Sequence, residues 1–283
     1  MTRERARRHL WPWCDWMTIG IGVVCTVRYP GDHFILASDQ LGSFGDGFST
    51  RTHGKLFCDP ENMMFAVCAD NCSHAAELLP CIGKHWKAMP NRGVGHIENG
   101  LQMAVFEYKS NRFARDVIPN YPFDPSSDWQ EQANKLGIRK ELFKQWNNLS
   151  IGCQLLVGTF DMSGMAQLYF VDSDCRILPF TSSGFWAIGS GSDNALFWLA
   201  YRQQHLGMNL LRSAYHVYES KIMAEQSPHV GRDDINLLIC SREKWWLLEN
   251  RTPSFPDCPI SLAKLKEAQE KFGPQGTDSL GKA

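Results

Sequence analysis

The sequence predicts an α+β fold in which sheets pack face to face between helical layers. Three observations carry this expectation. Short β-branched apolar runs come in pairs joined by turns, which reads as antiparallel hairpins. Strands and helices follow one another in blocks (strands, a helix, an insertion, strands, two helices, strands) and do not alternate singly, which disfavours parallel βαβ winding. The chain of 283 residues, 43% hydrophobic, is long enough to bury a sizeable core.

The elements follow in order. "TIGIGVVCTV" is β-branched and apolar, "RYPGDH" is a Pro-Gly turn, and "FILASD" is a second strand ending in an acid. After the Gly-rich "GSFGDGFSTRTHG", the runs "KLFCDP" and "MMFAVCA" read as another strand pair across the turn "DPEN". Ala75, Leu79, Ile82 and Trp86 then fall at helical spacing, with Ser73 as the expected N-cap and Pro80 as a kink or early end. Residues 97–109 and 129–146 carry helical patterns within an expected helical insertion at about 89–150. "CQLLVGTFD" and "AQLYFVDS" form a hairpin around Met162-Ser-Gly164. "FWAIGSGSDNALFWLAYRQQH" runs from strand through Gly-Ser-Gly into a helix capped by Asp193 or Ser192. "NLLRSAYHVYESKIMAEQ" is an amphipathic helix capped by Asn209, with Leu210, Ala214, Val217 and Met223 or close neighbours as its stripe. "DDINLLICS" and "KWWLLE" are the last strands, and the tail after Pro253 is a polar helix with a disordered end.

Composition excludes several classes. A net charge of −1 gives no general reason to expect nucleic acid or an anionic membrane as partner. No apolar run is long enough for a transmembrane helix. The start "MTRERARRHLWPWCDWM" interleaves Trp, Pro, Cys and Asp where a secretory signal needs an apolar core, so a cytoplasmic location is expected. That location leaves the acceptor patterns at Asn71, Asn148 and Asn250 without meaning as glycosylation sites. The ten cysteines contain no C-x-x-C. Cys68, Cys72 and His74, with Cys81 beyond, come nearest to a ligand cluster, but their spacing matches no usual zinc pattern and ordinary buried thiols are the preferred reading. No cofactor and no metal are expected.

Met17-Thr18 opens the first strand after sixteen residues of a different character. The quoted segments, in this order, resemble the proteasome-type N-terminal-nucleophile (Ntn) hydrolases, including proteasome β-subunits and their bacterial relatives. "TIGIGVVC" is similar to the strand that opens with the family's nucleophilic threonine, and "ILASDQLGSFGD" to the segment with its buried aspartate. "RTHGKLFCDPENMMFAVCAD" is similar to the segment with its catalytic lysine, and "QLLVGTFD" and "FWAIGSGSDNALFWL" to the later hairpin and Gly-Ser-Gly turn. The resemblance covers about 18–88 and 150–250. It implies a four-layer αββα sandwich and a threonine protease or amidase in which Thr18 attacks, its α-amine acts as base, Lys55 and Asp39 form the supporting pair, Ala69 supplies an oxyanion N–H, and Ser190 completes the network around the amine. An unperturbed α-amino pKa of about 7.7–8.0 suits that base.

The same resemblance divides the chain into an extension at 1–17, one domain at 18–252 carrying the insertion, and a polar tail at 253–283. The extension is either a propeptide or an upstream misreading with Met17 as the working start. The implied substrate is a peptide or small amide, bound by residues such as Ser43, Phe44 and the loop to Thr52, with a homo-oligomer or ring as the associated assembly. A catalytically inactive subunit or binding protein on the same fold is the alternative. Asp46, His53 and His74 are read as loop residues. Several positions depart from the family pattern. The first hairpin is lengthened by "RYPGDH", Leu41 stands where an arginine is frequent, and Met17 stands where autoprocessing relatives have glycine. Glu225, Ser227 and Asp233 are near the expected acid and serine but out of register.

Overall fold

The computed structural model describes residues 19–27, 31–39, 55–89, 93–124, 128–227, 230, 235–249 and 257–272. Two five-stranded antiparallel sheets and seven α-helices make up the described chain, an α+β arrangement compatible with a sandwich. Strands β1 (Ile19–Val27) and β2 (Gly31–Ser38) form the first hairpin, in the register Gly20 with Ser38. Strands β3 (Leu56–Asp59) and β4 (Met64–Asp70) form the second, and between them Pro60–Asn62 winds a short 3-10 turn capped by the Asp59 side chain.

Helix α1 (Cys72–Lys87) is capped by Asn71, whose side-chain oxygen accepts from the Ser73 N–H, so the cap falls two residues before the predicted Ser73. Pro80 does not end the helix. It sits on the exposed side, and one missing backbone bond is outweighed by the stripe Ala75, Leu78, Ile82 and Trp86 buried below. Trp86 is anchored further by its indole N–H, which donates to the Asn62 carbonyl at 3.0 Å.

Helix α2 (Val94–Asp116) buries Ile97, Leu101, Ala104, Val105 and Tyr108 in the same apolar cluster as α1. Helices α3 (Trp129–Lys135) and α4 (Arg139–Asn148) pack with the end of α2 around Phe113, Ala133 and Leu142 in a separate small cluster. Among its described residues the segment 89–150 therefore contains one α-helix integral to the main core and two α-helices that form a satellite.

Strands β5 (Cys153–Phe160), β6 (Ala166–Val171) and β7 (Ile177–Pro179) extend the second hairpin into the sheet β3-β4-β5-β6-β7. Strand β8 (Phe185–Gly189) crosses to β1 and leads into α5 (Ser192–Tyr201), whose N-cap is Gly191 without a side-chain bond, in place of the expected Ser192 or Asp193. Helix α6 (Leu210–Ala224) is capped by Asn209 as its sequence suggests, its side chain accepting from the Arg212 N–H at 2.8 Å. Strands β9 (Asn236–Ser241) and β10 (Trp245–Glu249) complete the sheet β10-β9-β2-β1-β8, and α7 (Leu262–Phe272) follows. The predicted disordered end lies outside the described residues.

Three apolar clusters show how these elements stack. Ile19, Ile21, Val23 and Cys25 face α5, α6 and α7, while Val24, Phe34, Leu36 and Leu238 meet Phe65, Val67, Leu156 and Leu168 of the other sheet. The far side of that second sheet, through Cys68, Leu155, Val157 and Tyr169, packs on α1 and α2. On the sheet-to-sheet face of β1, alternating positions are Gly20 and Gly22. A Cβ at Gly20 would lie 2.8 Å from Ile188 Cγ1, and one at Gly22 would lie 2.8 Å from Leu168 Cδ1. These two glycines let the sheets approach at the end where β1 begins.

Candidate active site

The chain builds a buried charge pair where β1 starts and β2 stops. Register sets the first contact: Gly20 opposite Ser38 brings Ile19 beside Asp39, and the Ile19 N–H donates to Asp39 Oδ1 at 3.4 Å. Lys55, immediately before β3, donates from Nζ to the same oxygen at 2.8 Å. Its carbonyl accepts from the Cys68 N–H at 2.9 Å, which ties the lysine backbone to β4. The two side chains are only 3% and 0% exposed. Each ion alone would cost several kcal/mol to bury, and pairing is what makes the arrangement tenable. Ser38 Oγ, next along β2, is buried with no hydrogen-bond partner among the described residues.

A second wall comes from the turn between β4 and α1. Ala69 is fully buried and stands opposite Gln154 of β5. Asp70 takes a left-handed backbone, φ 67°, and Asn71 caps the helix, so the chain reverses direction within three residues. Gln154 Oε1 accepts from the Gly189 N–H at 3.4 Å, and the Gln154 side chain also bonds Asp70. Partial burial raises the Asp70 carboxyl above its usual range, and that bond opposes the shift. Gln154 thus links the β4–α1 turn of one sheet to β8 of the other.

The third wall is the end of β8. Ile19 pairs with Gly189, whose φ of 90° makes the turn, and exposed Ser190 lies one residue past that pair, on the side from which the chain enters β1. Asp39, Lys55, Ala69 and Ser190, spread over the sequence, are therefore all carried by elements that meet around the start of β1. Thr18 lies outside the described residues, as do Leu41, Ser43, Phe44, Asp46, Thr52, His53 and Asp233.

The other singled-out residues have definite partners. Glu225 forms an ion pair with Lys221 one turn back on α6, and Ser227 Oγ accepts from Asn194 Nδ2 at 2.9 Å. His74, expected in a loop, lies in the first turn of α1 because the cap falls at Asn71; its ring meets the Tyr108 hydroxyl at 2.8 Å, and burial together with nearby Arg112 lowers its pKa. Cys68 Sγ donates to Cys72 Sγ at 2.9 Å. Among the described residues no group of three or more His, Cys, Asp or Glu is arranged to hold a metal ion, and no helix is long and apolar enough to cross a membrane. A groove of about 880 Å³ between α2, α3 and α4, lined by Phe106, Phe113, Trp129, Phe143 and Trp146, contains none of the site residues.

Sequence reasoning missed Gln154. The available signal was an amide side chain inside the mostly apolar strand "CQLLVGTF", which is unusual unless that amide has a partner. Chemically, the site offers a buried cation held by a carboxylate beside the first described residue of β1, and a strand-to-helix turn close by. No protein-family model and no curated protein matches the chain.

Proposed function

We propose that the chain is a threonine-nucleophile hydrolase of amide or peptide bonds, built as the four-layer αββα sandwich of proteasome-type Ntn hydrolases. The observation that carries this reading is the buried Lys55–Asp39 pair bonded to the backbone N–H of Ile19, the residue that follows Thr18 in sequence. The stacking of helices α1 and α2, two sheets, and helices α5 to α7 supports the layer order.

The chemistry follows from these groups. The free α-amine of Thr18 takes the proton of its own hydroxyl as Oγ attacks the substrate carbonyl, and the Lys55 ammonium favours the developing alkoxide. The Ala69 N–H donates to the tetrahedral oxyanion. Collapse expels the amine half of the substrate, which receives the proton from the Thr18 ammonium and leaves an ester on Oγ. Water, deprotonated by the same amine, then releases the acid. Asp39 holds Lys55 in position, and Ser190 orders the terminal amine. The reaction requires the bond between Met17 and Thr18 to be open. No cofactor takes part in this scheme, its substrate is a peptide or small amide, and a ring or smaller homo-oligomer in the cytoplasm is the corresponding assembly.

A noncatalytic protein on the same fold is the competing reading, favoured by Leu41 in place of the frequent arginine and by Glu225 and Ser227 standing out of register with the family's acid and serine. Hydrolysis of a panel of fluorogenic peptide amides separates the two. Thr18→Ala is expected to abolish turnover and Thr18→Ser to retain part of it. Equal turnover by Thr18→Ala and the parent chain would refute the threonine mechanism.

A further inference from the structure

The cysteine pair at the β4–α1 turn lies outside the hydrolytic scheme. Cys68 and Cys72 are separated by the turn that holds Ala69, Asp70 and Asn71, yet their sulfurs are 2.9 Å apart. A disulfide needs about 2.05 Å, so closure asks for a movement of roughly 1 Å. The two thiols are not equivalent. Cys68 is wholly buried and is the donor in the contact, whereas Cys72 keeps 8% exposure and is the first residue of α1. Helix N-termini favour a thiolate at that position, because several backbone N–H groups there lack helical partners.

The electrostatic surroundings agree with this asymmetry. The Cys68 hydrogen bond lowers the Cys72 thiol pKa, with the Lys55 ammonium adding to the effect against burial and the charges of Asp39 and Asp70. Cys25, Cys58 and Cys153 are pushed up to about 12, chiefly by burial. Cys81, Cys175, Cys240 and Cys258 are raised as well, again chiefly by burial. Cys72 is the one cysteine among those described that is held toward the reactive form.

We propose that Cys72 and Cys68 form a redox-active dithiol that reacts with hydroperoxides, Cys72 as the attacking thiolate and Cys68 as the resolving thiol. The Cys72 thiolate, its proton lost to solvent, attacks one peroxide oxygen, and the O–O bond breaks. The leaving hydroxide or alkoxide takes up a proton, and Cys72 becomes a sulfenic acid, oxidised by two electrons while the peroxide is reduced. Cys68 sulfur then displaces hydroxide from Cys72. The Cys68 proton leaves with that hydroxide as water, and a disulfide remains. Ala69 lies between the two cysteines, so closure also constrains the turn proposed to hold the oxyanion. That consequence rests on the hydrolase reading, while the dithiol chemistry does not.

The test uses the full chain, reduced and freed of reductant, then exposed to a few equivalents of hydrogen peroxide. Free thiols are blocked with a light alkylating reagent, disulfides are reduced, and the newly freed thiols are labelled with its heavy form before peptide mass spectrometry. Cys68 and Cys72 are expected to gain the heavy label together and ahead of every other cysteine, and the intact protein to lose the mass of two hydrogens. In Cys68→Ser, a dimedone-type probe should trap a sulfenic acid on Cys72. In Cys72→Ser, oxidation at Cys68 should slow by about tenfold or more, because the attacking thiolate is gone. Heavy label appearing first on the partly exposed Cys81 or Cys258, or none on the pair when those are oxidised, would overturn the proposal. That order is read on the parent chain and holds whether or not either variant folds. Closure of the disulfide in a protein without amidase activity would leave the dithiol standing and remove the hydrolase reading.

Discussion

Replacing Lys55 by Met removes the cation from the buried pair while keeping most of the side-chain volume. At 2.8 Å the attraction is about 6 kcal/mol for an effective dielectric constant of 20, before the cost of desolvating two ions that are 3% and 0% exposed. The variant leaves the Asp39 carboxylate buried with its cation gone, a change that typically costs about 3–5 kcal/mol. Asp39→Asn leaves the ammonium in the same plight but preserves an oxygen that can accept from the Ile19 N–H. The double variant removes both charges and should be far less damaged than the sum of the singles, with a coupling of about 2–4 kcal/mol. Urea unfolding of the four proteins, at constant m, measures that coupling. A coupling below about 1 kcal/mol would be that of a solvated surface pair and would refute the description of a buried pair.

Three further outcomes follow from the geometry. Gly20→Ala puts a Cβ 2.8 Å from Ile188 Cγ1 and 3.1 Å from Val67 Cγ1, so it should lower stability by about 1–3 kcal/mol; an unchanged denaturation midpoint would contradict the close approach of the sheets. Asn71→Ala removes the α1 cap next to the site and should cost about 1 kcal/mol in the same assay, with Asn71→Asp largely restoring it. Burial, with Arg202, Arg212 and His205 adding to it, lowers the His216 pKa from 6.5 to about 4, and its Nδ1–H donates to Gln204 Oε1 at 2.9 Å. A lowered pKa means that the neutral ring stabilises the fold above pH 6.5 and that this contribution is lost as pH falls toward 4, by up to about 3 kcal/mol. Stability measured from pH 7 to 4 should fall less steeply in His216→Gln.

The legible parts of the fold were those governed by local periodicity. The β-branched apolar runs "TIGIGVVCTV" and "FILASD" and the Pro-Gly turn between them mark the first hairpin, and Asn209 marks the start of α6, because strand preference, turn chemistry and capping are set within a few residues. The passage of α1 through Pro80 was not legible, since the buried anchor Trp86 and its bond to Asn62 are tertiary contacts. The same holds for α6, where His216, Glu219, Ser220 and Lys221 are all buried on a helix that reads as amphipathic. Glu219 is satisfied by a two-point ion pair with Arg202, at 2.7 Å for each contact, seventeen residues away.

At the site, Asp39 and Lys55 were singled out through a family resemblance, and their mutual contact is a matter of register between hairpins that periodicity cannot supply. Gln154 depends on two sheets meeting and had only its polarity in an apolar strand to announce it. Spacing alone reads Cys68 and Cys72 as ordinary buried thiols that fit no usual zinc pattern. Their relation depends on the left-handed turn at Asp70, which brings the end of a strand and the start of a helix back together.

The central claim is that Thr18 acts as an N-terminal nucleophile. Its most direct test is the intact mass and N-terminal sequence of the protein expressed from its own upstream region, before and after reaction with an epoxyketone or β-lactone. The expected result is a chain beginning at Thr18 that gains the mass of the probe on that residue, with the gain lost in Thr18→Ala. A chain that still carries residue 1 or 2 at its start and takes up no probe would contradict the claim and leave a noncatalytic protein on this fold.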